Sequence, residues 1–461
     1  MKTTYKKYKN HYRDNLKLAI PVVISQMGHT LVHASDSIIV GHFAGTVSLA
    51  AVSLASSIFV VPMVIGIGIS YGSTPLIAQH NSREEFSACG RLLSNSLFIN
   101  LLSGILLFSF IAVGSAYALE HLKQDQKVIV QAKPFLILLG TSIIPMLVFN
   151  TFKQFAEGLG FTKQAMLISI WGNILNICLG IIFVKGLFGI KPMGIMGVGY
   201  STLIDRCTMA LVMAVYIFRS KHFKKYLTDF SLTKIDAKRC LQILGIGGPV
   251  ALQYGFEVSA FSGAAVIIGS IGLVQLAAHQ IAINLASITY MMSSGLSAAA
   301  AIKSGNYFGV RDHSSLRKSA NASYHVVIAF MAITAIIFTI GNNFLPWIYT
   351  EDKAVIAVAS QLLIIAAMFQ LFDGTQVIGL GILRGMSDVN IPTLITFFAY
   401  WVLGLPLGWL LGIYLDWGVS GVWYGLTAGL LASAILLYTR FKVISHKHRL
   451  ADRNALIIAR D

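Results

Sequence analysis

The chain has 461 residues, of which 56% are hydrophobic and only 12% are charged. A water-soluble globular protein carries about one charged residue in four, so this composition excludes that class. The formal net charge of +16 raises the question of nucleic-acid binding, and the positions of the charges decide it.

Apolar runs of roughly 20 residues recur from Leu16 almost to the C-terminus, and each could cross a hydrocarbon core as a helix. Strands of a membrane β-barrel would instead alternate over about ten residues. The first run is too long for a signal-peptide core and lacks a small-residue cleavage site, so we expect it to be retained. The sequence predicts an all-α polytopic membrane protein with twelve spans near 16–40, 48–79, 92–118, 134–156, 164–187, 194–218, 241–269, 276–302, 319–342, 355–383, 392–414 and 419–439.

The basic residues are concentrated in alternate connections between these spans. With the N-terminus inside, the inner segments hold about 28 of the 35 Lys and Arg, and the outer loops hold about six. This bias follows the positive-inside rule and predicts that both termini are cytoplasmic. The net charge is therefore a topology signal, and we expect the partner to be the lipid bilayer rather than nucleic acid.

A long basic segment divides the predicted spans into two blocks of six. We predict the following organisation from it: residues 1–15 form a cytoplasmic N-terminus, 16–218 an N-lobe with spans 1–6, 219–240 a basic cytoplasmic connector, 241–440 a C-lobe with spans 7–12, and 441–461 a basic cytoplasmic tail.

The two blocks are weakly similar to each other at an offset of 224–228 residues. For example, "LAIPVV" (18–23) matches "IGGPVA" (246–251), and "GTVSLAAVSLAS" (45–56) matches "GLVQLAAHQIAI" (272–283). Because six is an even number, both blocks enter the membrane from the same side and form a parallel repeat. Two pseudo-symmetric six-helix lobes favour alternating-access transport, although some channels are also duplicated.

Glu257 and Asp373 are carboxylates inside predicted spans seven and ten, with no basic residue within two turns on the same helix. An acid at the centre of a span costs roughly 2.5–3.5 kcal/mol to insert, so it persists only with a use or a partner. Two such acids can carry protons or supply hard oxygen ligands to a cation such as Na⁺. We therefore predict that this pair binds the coupling ion and the substrate, with a structural hydrogen-bonded acid as the alternative.

Asp36 in the first span follows similar logic in the N-lobe. Asn150, Asn173 and Asn176 lie on spans four and five, where they could ligate a cation or simply join helices by hydrogen bonds. Asp205 and Arg206 are neighbours on span six, and we interpret them as structural residues whose charges pair there or elsewhere. The four cysteines are scattered without metal-like spacing and are interpreted as reduced and structural.

At these residues the chain resembles the multidrug and toxic compound extrusion (MATE) family, in its NorM-type bacterial branch. The resemblance covers nearly the whole chain and is carried by an acid in each of spans one, seven and ten. Four motifs accompany those acids: "DSIIVGHFAG" (36–45), "AEGLGFTKQAM" (156–166), "LAAHQIAINLAS" (276–287) and "GILRGMSDVNIP" (381–392).

The resemblance implies that Glu257 and Asp373 form the C-lobe cation site, and that Asp36 and Asn176 belong to the N-lobe site. Family members often carry a second polar residue one turn after the span-five Asn, where this chain has Gly180. We therefore weight the C-lobe pair above the N-lobe site. The complete set of supporting polar residues that we predict is Asn176, Asn150, Asn173, Gln280 and Asn284.

The resemblance implies a secondary antiporter that exports cationic amphipathic compounds in exchange for Na⁺ or H⁺, without a cofactor. A lipid-linked oligosaccharide flippase of similar fold is the alternative, but its anionic headgroup calls for a basic cavity. A membrane prenyl-type transferase needs clustered metal-binding acids, which the sequence lacks, and a channel would conduct ions without substrate. We expect a non-enzymatic, monomeric transporter of small organic cations in the inner membrane.

Overall fold

The computed structural model describes residues 2–121 and 125–458, with side chains for 8–32, 34–115 and 125–450. The last part of the predicted tail, 459–461, therefore lies outside the described residues. The described chain is helical almost throughout, because long apolar runs satisfy their backbone hydrogen bonds most readily within a helix.

The described residues form sixteen α-helices, one short 3₁₀ turn and two π-helical turns. The α-helices are α1 (Lys2–Phe43), α2 (Thr46–Ser70), α3 (Ser73–Ser82), α4 (Phe86–His121), α5 (Gln126–Thr141), α6 (Ile143–Gly158), α7 (Thr162–Lys185), α8 (Ile195–Arg219), α9 (Ala237–Ile271), α10 (Leu273–Gly309), α11 (His313–Ile340), α12 (Phe344–Trp347), α13 (Lys353–Gly385), α14 (Asn390–Phe397), α15 (Leu405–Trp409) and α16 (Gly418–Ile458). The 3₁₀ turn is Lys224–Tyr226, and the π-helical turns are Phe398–Gly404 and Leu410–Tyr414.

Eleven helical segments among the described residues are long and apolar enough to cross a membrane. Some of them combine two helices, as α2 with α3 in Thr46–Ser82 and α5 with α6 in Gln126–Gly158. The 42-residue helix α1 completes the twelve spans. The chain is therefore an all-α polytopic membrane protein, as the sequence predicts, with helices that extend several residues beyond the predicted boundaries.

The internal repeat is visible in the backbone. Residues with a positive φ recur 227 positions apart in the two halves of the chain. Glu84 (φ 61°) pairs in this way with Arg311 (φ 57°), and Gly160 (φ 89°) pairs with Ser387 (φ 61°). A positive φ is costly for a residue other than glycine, so its recurrence at matching places marks the same chain reversal. Together with the order of the helices, these matches confirm two pseudo-symmetric six-helix lobes in a parallel repeat.

The chain forms two compact units. Unit 1 contains Met1–Val23 and Leu252–Asp461, and unit 2 contains Ile24–Ala251. Both boundaries fall inside long helices, because α1 passes from unit 1 to unit 2 and α9 passes from unit 2 to unit 1. Each boundary follows a proline by two residues, at Pro21 in α1 and Pro249 in α9. The structural units therefore begin and end within spans.

In unit 2, the segment between α8 and α9 is bound to the rest of the unit. Tyr226 is buried and donates a hydrogen bond to Asn81 Oδ1 at 2.9 Å. Asn95 Oδ1 accepts from the Asp236 backbone N–H at 2.8 Å. The basic connector is thus a docked part of unit 2, and the chain leaves this unit later, within α9.

In unit 1, the first part of α1 is fastened to α11 by buried polar contacts. Asn15 is 2% exposed, and its Nδ2 donates to Ser319 O at 3.0 Å and to Ser323 Oγ at 2.9 Å. Ser319 Oγ donates back to Asn15 Oδ1 at 3.1 Å. Because hydrogen bonds satisfy both ends of its amide, Asn15 can be buried here without an orphan group.

Close backbone contact packs α16 against the α14–α15 segment in unit 1. A Cβ added to Gly425 would lie 2.2 Å from the Gly408 backbone nitrogen, and one added to Gly429 would lie 2.3 Å from Ala399 O. Small residues allow this approach, which is a main source of helix association in membranes. The π-helical turns of this segment lie at the same contact.

Candidate functional site

The two principal predicted acids lie in unit 1 and are brought together there. Glu257 on α9 is 8% exposed, and Asp373 on α13 is 4% exposed. They are close enough to interact electrostatically, and no basic side chain acts on either of them among the described residues. Two ionised carboxylates repel each other at such a place, so the pair favours a shared proton or an inorganic cation.

Three more polar side chains complete this unit 1 acid cluster. Tyr290 on α10 donates its hydroxyl to Glu257 Oε2 at 3.5 Å. Tyr400 is buried and interacts electrostatically with both acids, while its hydroxyl accepts a hydrogen bond from Gln376 Nε2 at 3.3 Å. Sequence analysis did not select the two tyrosines, because nothing in the sequence distinguishes them from the other tyrosines of the spans.

Some oxygen atoms of the cluster have no hydrogen-bond partner among the described residues. They are Asp373 Oδ1 and Gln376 Oε1, and both are buried. A buried polar atom without a protein partner calls for an explanation, such as an ordered water or an ion that contacts it. Carboxylate, amide and phenolic oxygens are hard ligands, so the donor set suits Na⁺ or a proton. The described residues contain no group of three or more His, Cys, Asp or Glu that could hold a metal ion.

Asp36 lies in unit 2, where α1 packs against α7. A Cβ added to Gly28 of α1 would lie 2.4 Å from Asn173 Nδ2 of α7, and one added to Gly180 would lie 3.5 Å from Ile39 Cδ1. Asp36 lies between these two contacts along α1 and is 8% exposed. The helix contacts therefore place it in the interior of the unit.

The predicted asparagines of α7 occupy the same region. Asn176 is fully buried and donates to Thr202 Oγ1 of α8 at 3.2 Å. Asn173 Nδ2 has no hydrogen-bond partner among the described residues, and neither has Asn176 Oδ1. Gly180 itself contributes no side-chain ligand, but a Cβ added there would lie 3.5 Å from Ile39 Cδ1 and 3.5 Å from Ser201 Oγ, so a hydroxyl oxygen of α8 faces this position.

The structure brings Asp205 and Arg206 of α8 close to Asp36. Arg206 attracts both carboxylates electrostatically, and the two carboxylates repel each other. The side chain of Asp205 also contacts α7, because a Cβ added to Gly172 would lie 2.5 Å from Asp205 Oδ1. Adjacent residues on one helix point in different directions, so sequence alone could not show that both lie beside an acid of α1.

The remaining predicted site residues lie apart from these clusters. Asn150 is half-buried on α6, and Gln280 and Asn284 are exposed on α10. Within the described residues, no hydrogen bond or ion pair joins any of them to the three predicted acids. Their roles stay predictions.

A second buried charge pair lies on α6, and sequence analysis did not single it out. Lys153 Nζ is 4.0 Å from Glu157 Oε1, one helical turn away, and donates to Ser25 Oγ of α1 at 3.1 Å. Ser25 Oγ in turn donates to Ser169 Oγ of α7 at 3.0 Å. Lys153 falls near the inner end of the predicted fourth span, where the sequence reads as an ordinary basic flank.

The fold and these buried acids define the class of the chain as a duplicated six-helix membrane protein with acidic groups inside the bundle. The MatE family profile matches the chain twice, at residues 21–182 and 249–410. The two matches begin 228 residues apart, which agrees with the offset of the repeat. The chain belongs to the MatE family, and the predicted resemblance is confirmed.

Curated bacterial relatives match nearly the full length of the chain. A probable multidrug resistance protein NorM of Xylella fastidiosa is 31% identical and covers 96% of this chain and 94% of its own length. A probable NorM of Xanthomonas campestris is 33% identical, with 93% of each chain covered. The multidrug resistance protein MdtK of Yersinia pseudotuberculosis is 32% identical and covers 95% of this chain and 96% of its own.

Solved structures of MATE transporters share the fold. The eukaryotic MATE transporter AtDTX14 superposes with a TM-score of 0.84 at 17% identity, covering 96% of this chain and 99% of its own. A MATE in the bent conformation superposes with a TM-score of 0.88 at 18% identity, covering 98% and 99%. At this identity the likeness concerns the fold alone.

Proposed function

We propose that this protein is a secondary active multidrug efflux antiporter that exports cationic amphipathic compounds in exchange for Na⁺ or H⁺ by alternating access. The observation that carries the proposal is the buried acid pair Glu257–Asp373, which has no basic partner among the described residues. Membership of a family whose relatives are named multidrug resistance proteins supports the substrate class. No catalytic role is proposed for any residue.

The acid pair suits exchange between an organic cation and a coupling ion. The negative charge of the pair attracts both the organic cation and the coupling ion. The two compete for the site, because a net charge of either sign is costly in a medium of low dielectric constant. Loss of the small ion therefore accompanies arrival of the organic cation. Each charge moved inward across the membrane is worth about 2.3 kcal/mol per 100 mV, so one or two ions can drive a steep gradient.

We further propose that the protein works as a monomer in the inner membrane with both termini in the cytoplasm. The distribution of basic residues supports this orientation, and the bacterial relatives support the compartment. The proposed partners are small organic cations and the bilayer, and neither a cofactor nor nucleic acid is proposed. Asp36 is the third predicted carboxylate, and it differs from the pair in having Arg206 nearby.

Ethidium efflux from cells tests the proposal. Cells expressing wild type, Glu257→Gln or Asp373→Asn are loaded with ethidium and compared with and without Na⁺ and with a protonophore. We expect both variants to lose efflux at normal expression, and the cation conditions to identify the coupling ion. Asp416→Asn is the matched control, because Asp416 is an exposed acid of the same unit. Full efflux in both site variants would contradict the proposal.

A further inference from the structure

The basic connector, residues 219–240, is held against the rest of unit 2 by buried side chains and hydrogen bonds. Phe223 is fully buried and Tyr226 is 5% exposed, and the two flank the lysines of the 3₁₀ turn Lys224–Tyr226. Further along, the Ser231 backbone N–H donates to Ser94 Oγ of α4 at 2.9 Å. An unattached charged linker would extend as a coil, whereas these contacts give the connector a defined backbone.

Three lysines project from the anchored turn. Lys221, Lys224 and Lys225, hereafter the connector lysines, are all exposed and lie close together in sequence around the two aromatic anchors. Lys225 Nζ lies 4.0 Å from the centroid of the Phe86 ring of α4 and 4.9 Å from that of the Tyr226 ring. A cation–π contact holds an ammonium group in place without neutralising it. The turn therefore presents a small group of positive charges from a fixed backbone.

The acids of the connector are paired with other basic groups. Asp229 forms an ion pair with Arg91 of α4, and Asp236 Oδ2 lies 3.4 Å from Arg239 Nε. Within the part of the chain that the structure describes, no carboxylate lies within 4.0 Å of a connector lysine. The positive charge of this surface has no internal counter-charge, so an external anion is stabilised there.

The connector lysines lie where membrane spans end. Lys221 follows Phe218 of α8 by three residues, and Phe218 is 43% exposed. Leu241, near the start of α9, is 68% exposed, and Leu232 within the connector is 61% exposed. Exposed apolar side chains at the end of a span face acyl chains, and the headgroup layer lies next to them. Lysines beside exposed apolar residues are typical of a segment in the membrane interface.

We propose that the connector lysines form a binding site for the phosphate group of an anionic phospholipid in the adjoining leaflet. The partner is a lipid rather than a soluble anion, because exposed Phe218, Leu232 and Leu241 supply apolar surface for the acyl chains beside the charges. Unit 1 has no equivalent site, since the corresponding part of α16 (Gly418–Ile458) is an uninterrupted helix. The inference is independent of the proposed antiport function.

Native mass spectrometry, which counts individual bound lipids, tests the inference on the full chain in detergent. The protein is titrated with phosphatidylglycerol and, in parallel, with phosphatidylcholine, which has no net charge. We expect wild type to bind phosphatidylglycerol more tightly. The variant Lys221→Gln/Lys224→Gln/Lys225→Gln should weaken the tightest phosphatidylglycerol binding about a hundredfold, because each lysine near an anionic headgroup contributes a factor of about five.

Two control variants separate a positioned charge from net charge. Lys127→Gln/Lys191→Gln/Lys353→Gln removes the same charge from exposed lysines of the predicted outer loops and should leave the affinity unchanged. Replacing the connector lysines by arginine keeps the charge and should preserve tight binding. Hydrogen exchange locates the site, and phosphatidylglycerol should protect residues 219–240 in wild type.

Three results would overturn the inference. One is wild-type affinity for phosphatidylglycerol in the variant with glutamine at all three connector positions. Another is an equal loss of affinity in the outer-loop variant, which would show an effect of net charge alone. The last is protection of residues 219–240 by inorganic phosphate as strong as that by the lipid, which would assign the site to a soluble anion.

Discussion

Glu157 of unit 2 and Arg384 of unit 1 lie 227 residues apart, at equivalent positions of the repeat, and carry opposite charges. Each precedes a glycine in close contact with a neighbouring helix. A Cβ added to Gly158 would lie 3.1 Å from the backbone oxygen of Thr74, and one added to Gly385 would lie 2.4 Å from the backbone oxygen of Ala301. Thr74 and Ala301 are also 227 residues apart, so the two contacts are equivalent in the repeat. The backbone contact is thus common to both units, while the buried charge beside it differs.

The same contrast holds for the predicted site acids. Position 36 in unit 2 corresponds to Ala264 in unit 1, and position 206 corresponds to Leu430. Helix packing depends on the shape of small residues along the contact, whereas a buried charge depends only on its few neighbours. Two units built on one backbone plan can therefore have different electrostatic properties and different roles.

The largest effect on transport should come from placing an arginine beside the acid pair of unit 1, since unit 2 already contains the buried Arg206. Gln376→Arg places a guanidinium beside Tyr400 and the acid pair, where it should compete with the exchanging ion. We expect ethidium efflux to fall by about a hundredfold or more, because a fixed charge at short range in a poorly solvated site outweighs a mobile one. Gln376→Met is the control for size, and an equal loss in both variants would indicate a steric cause.

The next largest effect should be a loss of stability when the buried ion pair Lys153–Glu157 of unit 2 is broken. Lys153→Met leaves Glu157 buried without its cation, which should cost about 3 kcal/mol of stability and lower the Tm in detergent. Lys163→Met alters an exposed lysine nearby and should leave the Tm unchanged. Adding Glu157→Gln to Lys153→Met should recover part of the loss, and failure to recover any would mean that the pair's charges are not what stabilises α6.

A smaller effect should distinguish the backbone packing of the units. Gly425→Ala in unit 1 introduces a methyl group 2.2 Å from the Gly408 nitrogen, whereas the equivalent position of unit 2 holds Ser201. Overpacking of this kind should cost about 2 kcal/mol, seen as a lower Tm. Gly114→Ala has no atom within 4 Å of the new Cβ and serves as the control. A Tm equal to that of wild type in Gly425→Ala would show that α16 can shift freely.

The smallest effect should come from the first part of α1. Asn15→Ala removes the hydrogen bonds to Ser319 and Ser323 and should cost about 1 kcal/mol. We expect faster hydrogen exchange in residues 8–23 and little change in residues 24–43, which belong to unit 2. Asn10→Ala changes an exposed residue of the same helix and should leave the exchange of both segments unaltered.

The sequence by itself determined the membrane class, the repeat and the principal acids. Apolar runs of sufficient length leave a helix as the favourable structure in a bilayer, because each backbone polar group must then be satisfied locally. The rarity of charge inside spans made Glu257, Asp373 and Asp36 visible, since an acid there is costly wherever the helix packs. These properties are local, so they could be predicted without knowing any contact.

Only the tertiary structure decided which groups stand beside those acids. Tyr290 reaches Glu257 from another helix, and Arg206 reaches the region of Asp36 from a helix 170 residues away in sequence. The allocation of α1 and α9 to both units was likewise invisible, because each reads as a single continuous apolar run. Long-range packing fixes the neighbours of a charge, and those neighbours decide the electrostatic surroundings of an acid inside a membrane.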